Sequence, residues 1–211
     1  MKTILIHGSG QKAASWTKTV SYMKNSDDIL CPELSSLLNG KEASYNNLYS
    51  SFTEYCNKID GQIHLCGISL GGILALNYTL DFSDKVKTLV LIGTPHKIPK
   101  IMFAVQNVIF KFLPSSFFEK AAFDKKDTFA LGNSMKNLDF TGKAQSIKCS
   151  TMIICGKKDS ANIKSAYYFS QNINNTKLEI IGDTGHIVNE ESPKTLAKIL
   201  DEYYDLSKSI G

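Results

Sequence analysis

Arginine is missing from this chain of 211 residues: all 24 of its basic residues are lysine. A lysine ammonium is a point charge and cannot form the planar two-bond fork with which a guanidinium grips a carboxylate or a phosphate. Substrates that need such a clamp are therefore disfavoured. The net charge is only +4, and the lysines are scattered. Pairs such as Lys125-Lys126 and Lys157-Lys158 read as solvated surface, so no nucleic-acid partner is expected. Long apolar runs are lacking too. The most apolar stretch we single out, Ile101–Leu113, falls short of the roughly 20 residues a bilayer span needs, and no lysine-rich face accompanies it, so no stable membrane insertion is expected. The start, Met1-Lys2-Thr3-Ile4-Leu5-Ile6, lacks the apolar length and the small-residue cleavage site of a signal peptide. The five cysteines are irregularly spaced with no Cys-x-x-Cys pair, which suggests neither a zinc site nor a disulfide framework. Reduced, mostly buried thiols in a cytoplasmic protein fit best, with Cys66 and Cys155 read as core thiols at strand ends. We expect no metal and no cofactor.

What is present is an ordinary globular composition, 43% apolar, and enough chain for one sizeable core. Short runs rich in Ile, Leu and Val predict strands at Thr3–His7, Asp28–Cys31, Gln62–Ile68, Lys87–Ile92, Thr151–Cys155 and Lys177–Ile181. Helical segments alternate with them: Ala14–Lys24, Tyr45–Lys58, Gly72–Leu80, Ile163–Gln171 and Pro193–Ser207. Ser192-Pro193 makes a good helix start. Such alternation implies βαβ units, a parallel sheet and right-handed crossovers. The alternation breaks between Thr94 and Lys148, about 55 residues with no convincing strand. Ile101–Leu113, Ser115–Phe123 and Thr128–Leu138 read as helical pieces of a cap inserted at about 94–148, within a single domain spanning 1–211. Ordinary core helices are the plain alternative.

The chemistry centres on Gly67-Ile68-Ser69-Leu70-Gly71, which joins an apolar run to a helical segment. Strand, sharp turn, serine between glycines, then helix is the context in which a serine hydroxyl is pushed out above a sheet with a helix N-terminus aimed at it. A Gly/Ser turn that merely reverses the chain is the alternative reading. Such a serine needs a base to take its proton, and only four histidines are available. His64 lies within a strand and reads as packing. His7 ends the first strand and reads as a structural hydrogen-bonder. His96 follows Thr94-Pro95 at the mouth of the cap and is a candidate substrate contact. His186, in the loop Gly182–His186 after the last strand, is the preferred base. An imidazole in this role needs a carboxylate to fix its tautomer. Asp159, in Gly156–Asp159 after the fifth strand, is preferred to Asp183, which is too close to His186 in a tight loop and reads as loop support. An oxyanion would need two N–H donors. The backbone of Leu70 supplies one and that of Ser9, in His7-Gly8-Ser9-Gly10, the other, with Gly10 as a close alternative.

Together His7-Gly8-Ser9-Gly10 with Trp16 downstream, Gly67–Gly72, the Gly156–Asp159 turn and Gly185-His186 resemble the α/β-hydrolase superfamily over nearly the whole chain. The resemblance implies an open, mostly parallel sheet flanked by helices, a cap after Lys87–Ile92, and Ser-His-Asp acyl transfer. Relatives usually carry two further strands before the one at Thr3–His7. The sheet here should therefore have about six strands, with Asp28–Cys31 exposed as an edge that Pro32 suits. The serine argues against relatives that use an aspartate nucleophile. The expected activity is a cofactor-free serine hydrolase, a carboxylesterase acting on a small or medium apolar ester. The apolar cap residues Ile101, Met102, Phe103, Val105, Phe117 and Phe118 would line its pocket. Acyl transfer, thioester or C–C hydrolysis on the same triad, or a non-catalytic ligand receptor, are the rivals. A monomer or homodimer is expected, the edge strand or the cap being the surfaces that could pair.

Overall fold

A computed structural model describes residues 1–98 and 121–209, with side chains through 206. Six strands form one sheet: β1 (Thr3–Ile6), β2 (Ile29–Leu30), β3 (Ile63–Ile68), β4 (Val86–Ile92), β5 (Ser150–Gly156) and β6 (Thr176–Ile181). The order is β2-β1-β3-β4-β5-β6, and every neighbouring pair is parallel. All six strands and the edge position of β2 agree with the sequence reading. β2 shrinks to two residues, a length that gives little exposed ladder for another chain to pair with.

Side chains alternate across the strands into two cores. Ile4, Ile6, Leu65, Leu89, Leu91 and Ile153 face one way, and Leu5, Cys66, Ile68, Val90, Ile92, Met152 and Ile154 face the other. Both sides are apolar because helices cover both, which is why the strands read as continuous apolar runs. The first face carries α2 (Leu34–Leu37), α3 (Tyr45–Asn57) and α4 (Leu70–Asp81). Also on it are α5 (Lys125–Met135) and α6 (Ile163–Asn172). The second carries α1 (Thr17–Val20), the short α7 (Val188–Glu191) and α8 (Pro193–Ser209). α8 turns Leu196, Ala197, Leu200, Tyr203 and Tyr204 inward, an i, i+4, i+7 stripe. All five cysteines are free.

The helices differ from the sequence reading in several places: α5 begins and ends three residues before the Thr128–Leu138 segment, and the four-residue α7 escaped the reading as α2 did. The segment read as one helix over Ala14–Lys24 is a 3₁₀ turn, Ala13–Trp16, followed by the four residues of α1. Thr17, Thr19 and Val20 are β-branched and extend a helix poorly. α2 escaped the sequence reading because four residues hold no periodicity. Pro193 does open α8, but the Ser192 hydroxyl shares a hydrogen bond with Thr184 Oγ1 at 2.6 Å.

Within 94–148, α5 is capped by Asp124, whose carboxylate accepts the Asp127 N–H at 2.8 Å. Phe123, Leu131, Met135, Phe140 and Ile147 join the first core. The chain leaves the sheet and returns to it side by side. The Ile98 N–H donates to the Leu138 carbonyl, and the Phe140 N–H to that of His96. Ile101–Leu113, most of Ser115–Phe123, and the pocket residues Met102 and Phe103 lie outside the described residues. No helix among the described residues is long and apolar enough to cross a membrane.

Candidate active site

Ser69 stands between β3 and α4 with φ 55° and ψ −114°, a backbone state costly for a residue with a Cβ. Crowding explains why its neighbours are glycines. A Cβ built on Gly67 would lie 2.2 Å from the Gly71 carbonyl oxygen, one on Gly71 2.2 Å from that of Ile6, and one on Gly72 1.9 Å from Thr94 Oγ1. The turn is this tight because α4 starts directly against β1 and β4. The Ser69 N–H is held by the Ile92 carbonyl at 2.9 Å. Leu70 is the first residue of α4, so its N–H has no carbonyl one turn back and faces out of the helix N-terminus.

The loop after β1 passes beside this sharp β3–α4 turn, the elbow that carries Ser69: a Cβ on Gly8 would sit 3.6 Å from Ser69 Cβ. This loop carries Ser9, half-buried, and Gly10, exposed with open space around its Cα. His7 anchors it from below. Its buried ring donates from Nδ1 to the Gly8 carbonyl at 2.8 Å, and Nε2 accepts the Leu34 N–H at 3.1 Å with Glu33 Oε1 3.0 Å away. Burial pushes the His7 pKa down, against the opposing pull of Gly8 and Glu33.

β5 and β6 bring the acid and the histidine together. Nδ1 of His186 donates to Asp159 Oδ2 at 2.7 Å. Asp159 is 5% exposed, and burial alone would raise its pKa. The His186 hydrogen bond and charge, with the Asn162 donors, outweigh that and hold the carboxyl below its ordinary value. Asn162 Nδ2 lies 3.0 Å from both carboxylate oxygens, and its backbone N–H is 3.2 Å from Oδ1. The two loops cross in close contact, since a Cβ on Gly156 would meet the Gly185 carbonyl oxygen at 2.1 Å. Asp183 turns its carboxylate fully into solvent beside Lys158.

Residues that the sequence reading did not single out complete the frame. Gly93, at φ 49°, leaves room for the pair: a Cβ there would be 3.0 Å from His186 Nδ1 and 3.1 Å from Asp159 Oδ2. Glu191 accepts the Gly185 N–H at 2.6 Å and the Ile187 N–H at 3.0 Å, one on either side of His186. Asn162 lies three residues beyond Asp159, the spacing at which an aspartate accepts a backbone N–H at the start of a helix, a signal visible in the sequence. His96 packs on α6, stacked on Tyr168 at 4.4 Å with Nδ1 2.9 Å from Ser165 Oγ. His64 is buried and pairs with Thr88 Oγ1 at 2.7 Å. Two cavities, of about 390 and 480 Å³, open at the opposite edge of the sheet, around Lys87, Tyr203 and Tyr204, away from the elbow. Among the described residues, no cluster of three His, Cys, Asp or Glu could hold a metal ion.

A family model described as the alpha/beta hydrolase family matches residues 3–199. The chain belongs to the alpha/beta hydrolase family. As a member it is a hydrolase, and its relatives span several named activities. It is 22% identical to monoacylglycerol lipase ABHD6 of Mus musculus, over 95% of this chain and 74% of that one. It is 21% identical to a putative 2-succinyl-6-hydroxy-2,4-cyclohexadiene-1-carboxylate synthase of Bacillus subtilis, over 95% and 89%. Among solved structures, a thermophilic esterase from Thermogutta terrifontis superposes with a TM-score of 0.81 at 16% identity, covering 98% of the hydrolase and 90% of the esterase. The fold is thus shared with enzymes of differing substrate.

Proposed function

We propose that this hydrolase is a carboxylesterase in which Ser69 is the nucleophile, His186 the general base and acid, and Asp159 the group that orients His186. The observation that carries the reading is the Asp159–His186 contact of 2.7 Å, formed by the loops after β5 and β6 at the same sheet edge as the strained serine. With Nδ1 committed to Asp159, Nε2 is the nitrogen that takes the Ser69 proton as Oγ attacks an ester carbonyl. Negative charge then develops on the carbonyl oxygen. The N–H groups of Leu70 and Ser9 receive it, the first with the help of the α4 N-terminus. The proton passes from His186 to the leaving alcohol as the C–O bond breaks. A water deprotonated by His186 then releases the acid and restores Ser69.

An uncharged acyl or alkyl group of small or medium size suits the apolar sequence of the 101–118 stretch and the lack of arginine. Free, largely buried cysteines accord with a cytoplasmic setting. The test is a panel of p-nitrophenyl esters of increasing acyl length. Ser69→Ala is expected to abolish turnover of every ester that the wild type cleaves, while circular dichroism stays unchanged. Turnover that survives Ser69→Ala would refute the assignment. The Bacillus relative named as a synthase favours a second reading, action of the same serine and histidine on a bond other than an ester. Rapid labelling of Ser69 by a fluorophosphonate together with an empty ester panel would support that one.

A further inference from the structure

We propose that Gln11 is a positioning residue for this reaction: its carboxamide holds the β1 loop, source of the second oxyanion donor, in register with the helix that follows His186. The inference rests on the esterase reading. The problem it answers is geometric. The oxyanion donor at Ser9 comes from the loop after β1 and the base from the loop after β6. In the sheet these strands are separated by β3, β4 and β5. Both loops must address one tetrahedral carbon, and a donor is effective only within a few tenths of an ångström of its place.

Gln11 spans that gap. It is 5% exposed, and its amide is fully used. Oε1 accepts the Gly8 N–H at 3.1 Å, while Nε2 donates to Asn189 Oδ1 at 2.9 Å and to Glu190 Oε1 at 2.7 Å. Its own N–H closes the turn onto the Gly8 carbonyl at 3.1 Å, and its carbonyl accepts the Ala122 N–H at 2.9 Å. The Oε1 and N–H bonds both close on Gly8, so the Gly8–Gln11 turn is fixed by one residue. The far side is equally fixed. Asn189, fully buried in α7, donates from Nδ2 to Ser15 Oγ at 3.1 Å, and its carbonyl accepts the Thr19 hydroxyl at 2.9 Å. α7 begins two residues after His186, so a shift of Gln11 is transmitted to the base as well as to the oxyanion loop. Removing the carboxamide leaves the Gly8 N–H and Asn189 Oδ1 buried without their partners, and the loop must move to satisfy them.

The test compares wild type, Ser69→Ala, Gln11→Ala, Gln11→Glu and the pair Gln11→Glu with Glu190→Gln. Rates are expressed per active site, counted by fluorophosphonate titration, except for Ser69→Ala, whose rate is expressed per protein. Ser69-dependent ester turnover in the wild type comes first; without it the esterase reading fails, and this inference with it. Given that turnover, Gln11→Ala is expected to lower kcat per titrated site about 10- to 100-fold. KM should change little, and affinity for a trifluoromethyl ketone, which forms a tetrahedral adduct, should fall with kcat/KM. Gln11→Glu keeps an acceptor for Gly8 but sets a carboxylate against Glu190, and should lose as much. Adding Glu190→Gln restores a donor across that contact and should recover a large part of the rate. Unchanged kcat per site in Gln11→Ala, or a loss confined to the titratable fraction, overturns the proposal while leaving the esterase reading intact. Should Gln11→Ala not fold, absence of recovery on adding Glu190→Gln to Gln11→Glu overturns it equally.

Discussion

Gly71→Ala sets two physical effects against each other with opposite signs. Gly71 lies in the first turn of α4, where helix propensity alone would favour alanine by about 1 kcal/mol. Packing opposes it. The added Cβ would sit 2.2 Å from the Ile6 carbonyl oxygen, 2.6 Å from its carbon and 2.8 Å from the His7 oxygen. Ordinary non-bonded contacts are about 3.5 Å or more, so something must move by roughly 1 Å. β1 is the poor candidate to yield, because Ile6 is fully buried and paired in register with Gly67 of β3. The N-terminus of α4 must give way instead, taking Ser69 and the Leu70 N–H with it. Overpacking of this kind costs about 1–3 kcal/mol. That exceeds the propensity gain except at its lower end, and at about 2–4 °C per kcal/mol it predicts a Tm lowered by several degrees. A displacement of about 1 Å at the reacting atoms predicts kcat reduced about 100-fold. Calorimetry and kcat per titrated site measure both. A Tm equal to or above wild type with kcat unchanged would refute the argument, since it would mean that the turn has slack the packing does not reveal. Gly182→Ala, where a Cβ meets nothing within 4 Å, is the matched substitution and should leave Tm within about 1 °C.

Asp159→Asn should lower kcat on the best ester about 10⁴-fold, because an amide favours the wrong histidine tautomer. The same variant tests the electrostatics. The folded-state pKa of Asp159 lies below its ordinary 3.8, so the folded protein binds fewer protons there than the unfolded chain. Its stabilising contribution is then complete above that ordinary value and is lost as pH falls through the folded one. Urea midpoints of wild type minus those of Asp159→Asn should shrink on going from pH 6 to below about pH 4; a difference that widens on acidification would contradict the assigned sign. Gly93→Ala adds a Cβ 3.0 Å from His186 Nδ1 at a backbone φ of 49°. It should cut kcat about tenfold or more, at a stability cost of about 1 kcal/mol. Wild-type kcat in this variant would show that the Asp159–His186 pair has spare room.

How much of this was legible in the sequence depends on how far apart the interacting residues lie. The strands could be read because burial on both faces makes each a short run of Ile, Leu and Val. The edge place of β2 followed from Pro32 and from the resemblance. The turn at Ser69 could be read because its glycines fall together within six residues, although only Gly67 is crowded from within the turn, while Gly71 and Gly72 are crowded by Ile6 and Thr94. Asp159 and His186 were legible only as loop residues after strands. Their contact spans 27 positions, and only the parallel sheet supplies the reason they meet. α1 was overextended because an apolar pattern continues past the point where β-branched residues stop supporting a helix.

The links that complete the frame are of another kind. Gln11 reaches Asn189 across 178 positions, and nothing near either residue marks the partner. A buried amide far along a chain looks the same in sequence as an exposed one, since its burial is decided by which loops the fold superimposes. Glu191 is a further case. An exposed carboxylate at the end of a four-residue helix reads as solvated surface, yet it accepts both amides flanking His186. Sequence thus exposes constraints that leave a compact local pattern, such as the glycines of one turn or the apolar run of one strand, even where distant residues impose them. It hides those that act through hydrogen bonds between loops. In this fold the first kind marks Ser69, the proposed nucleophile, and the second decides whether the proposed base and oxyanion donors arrive at the same point.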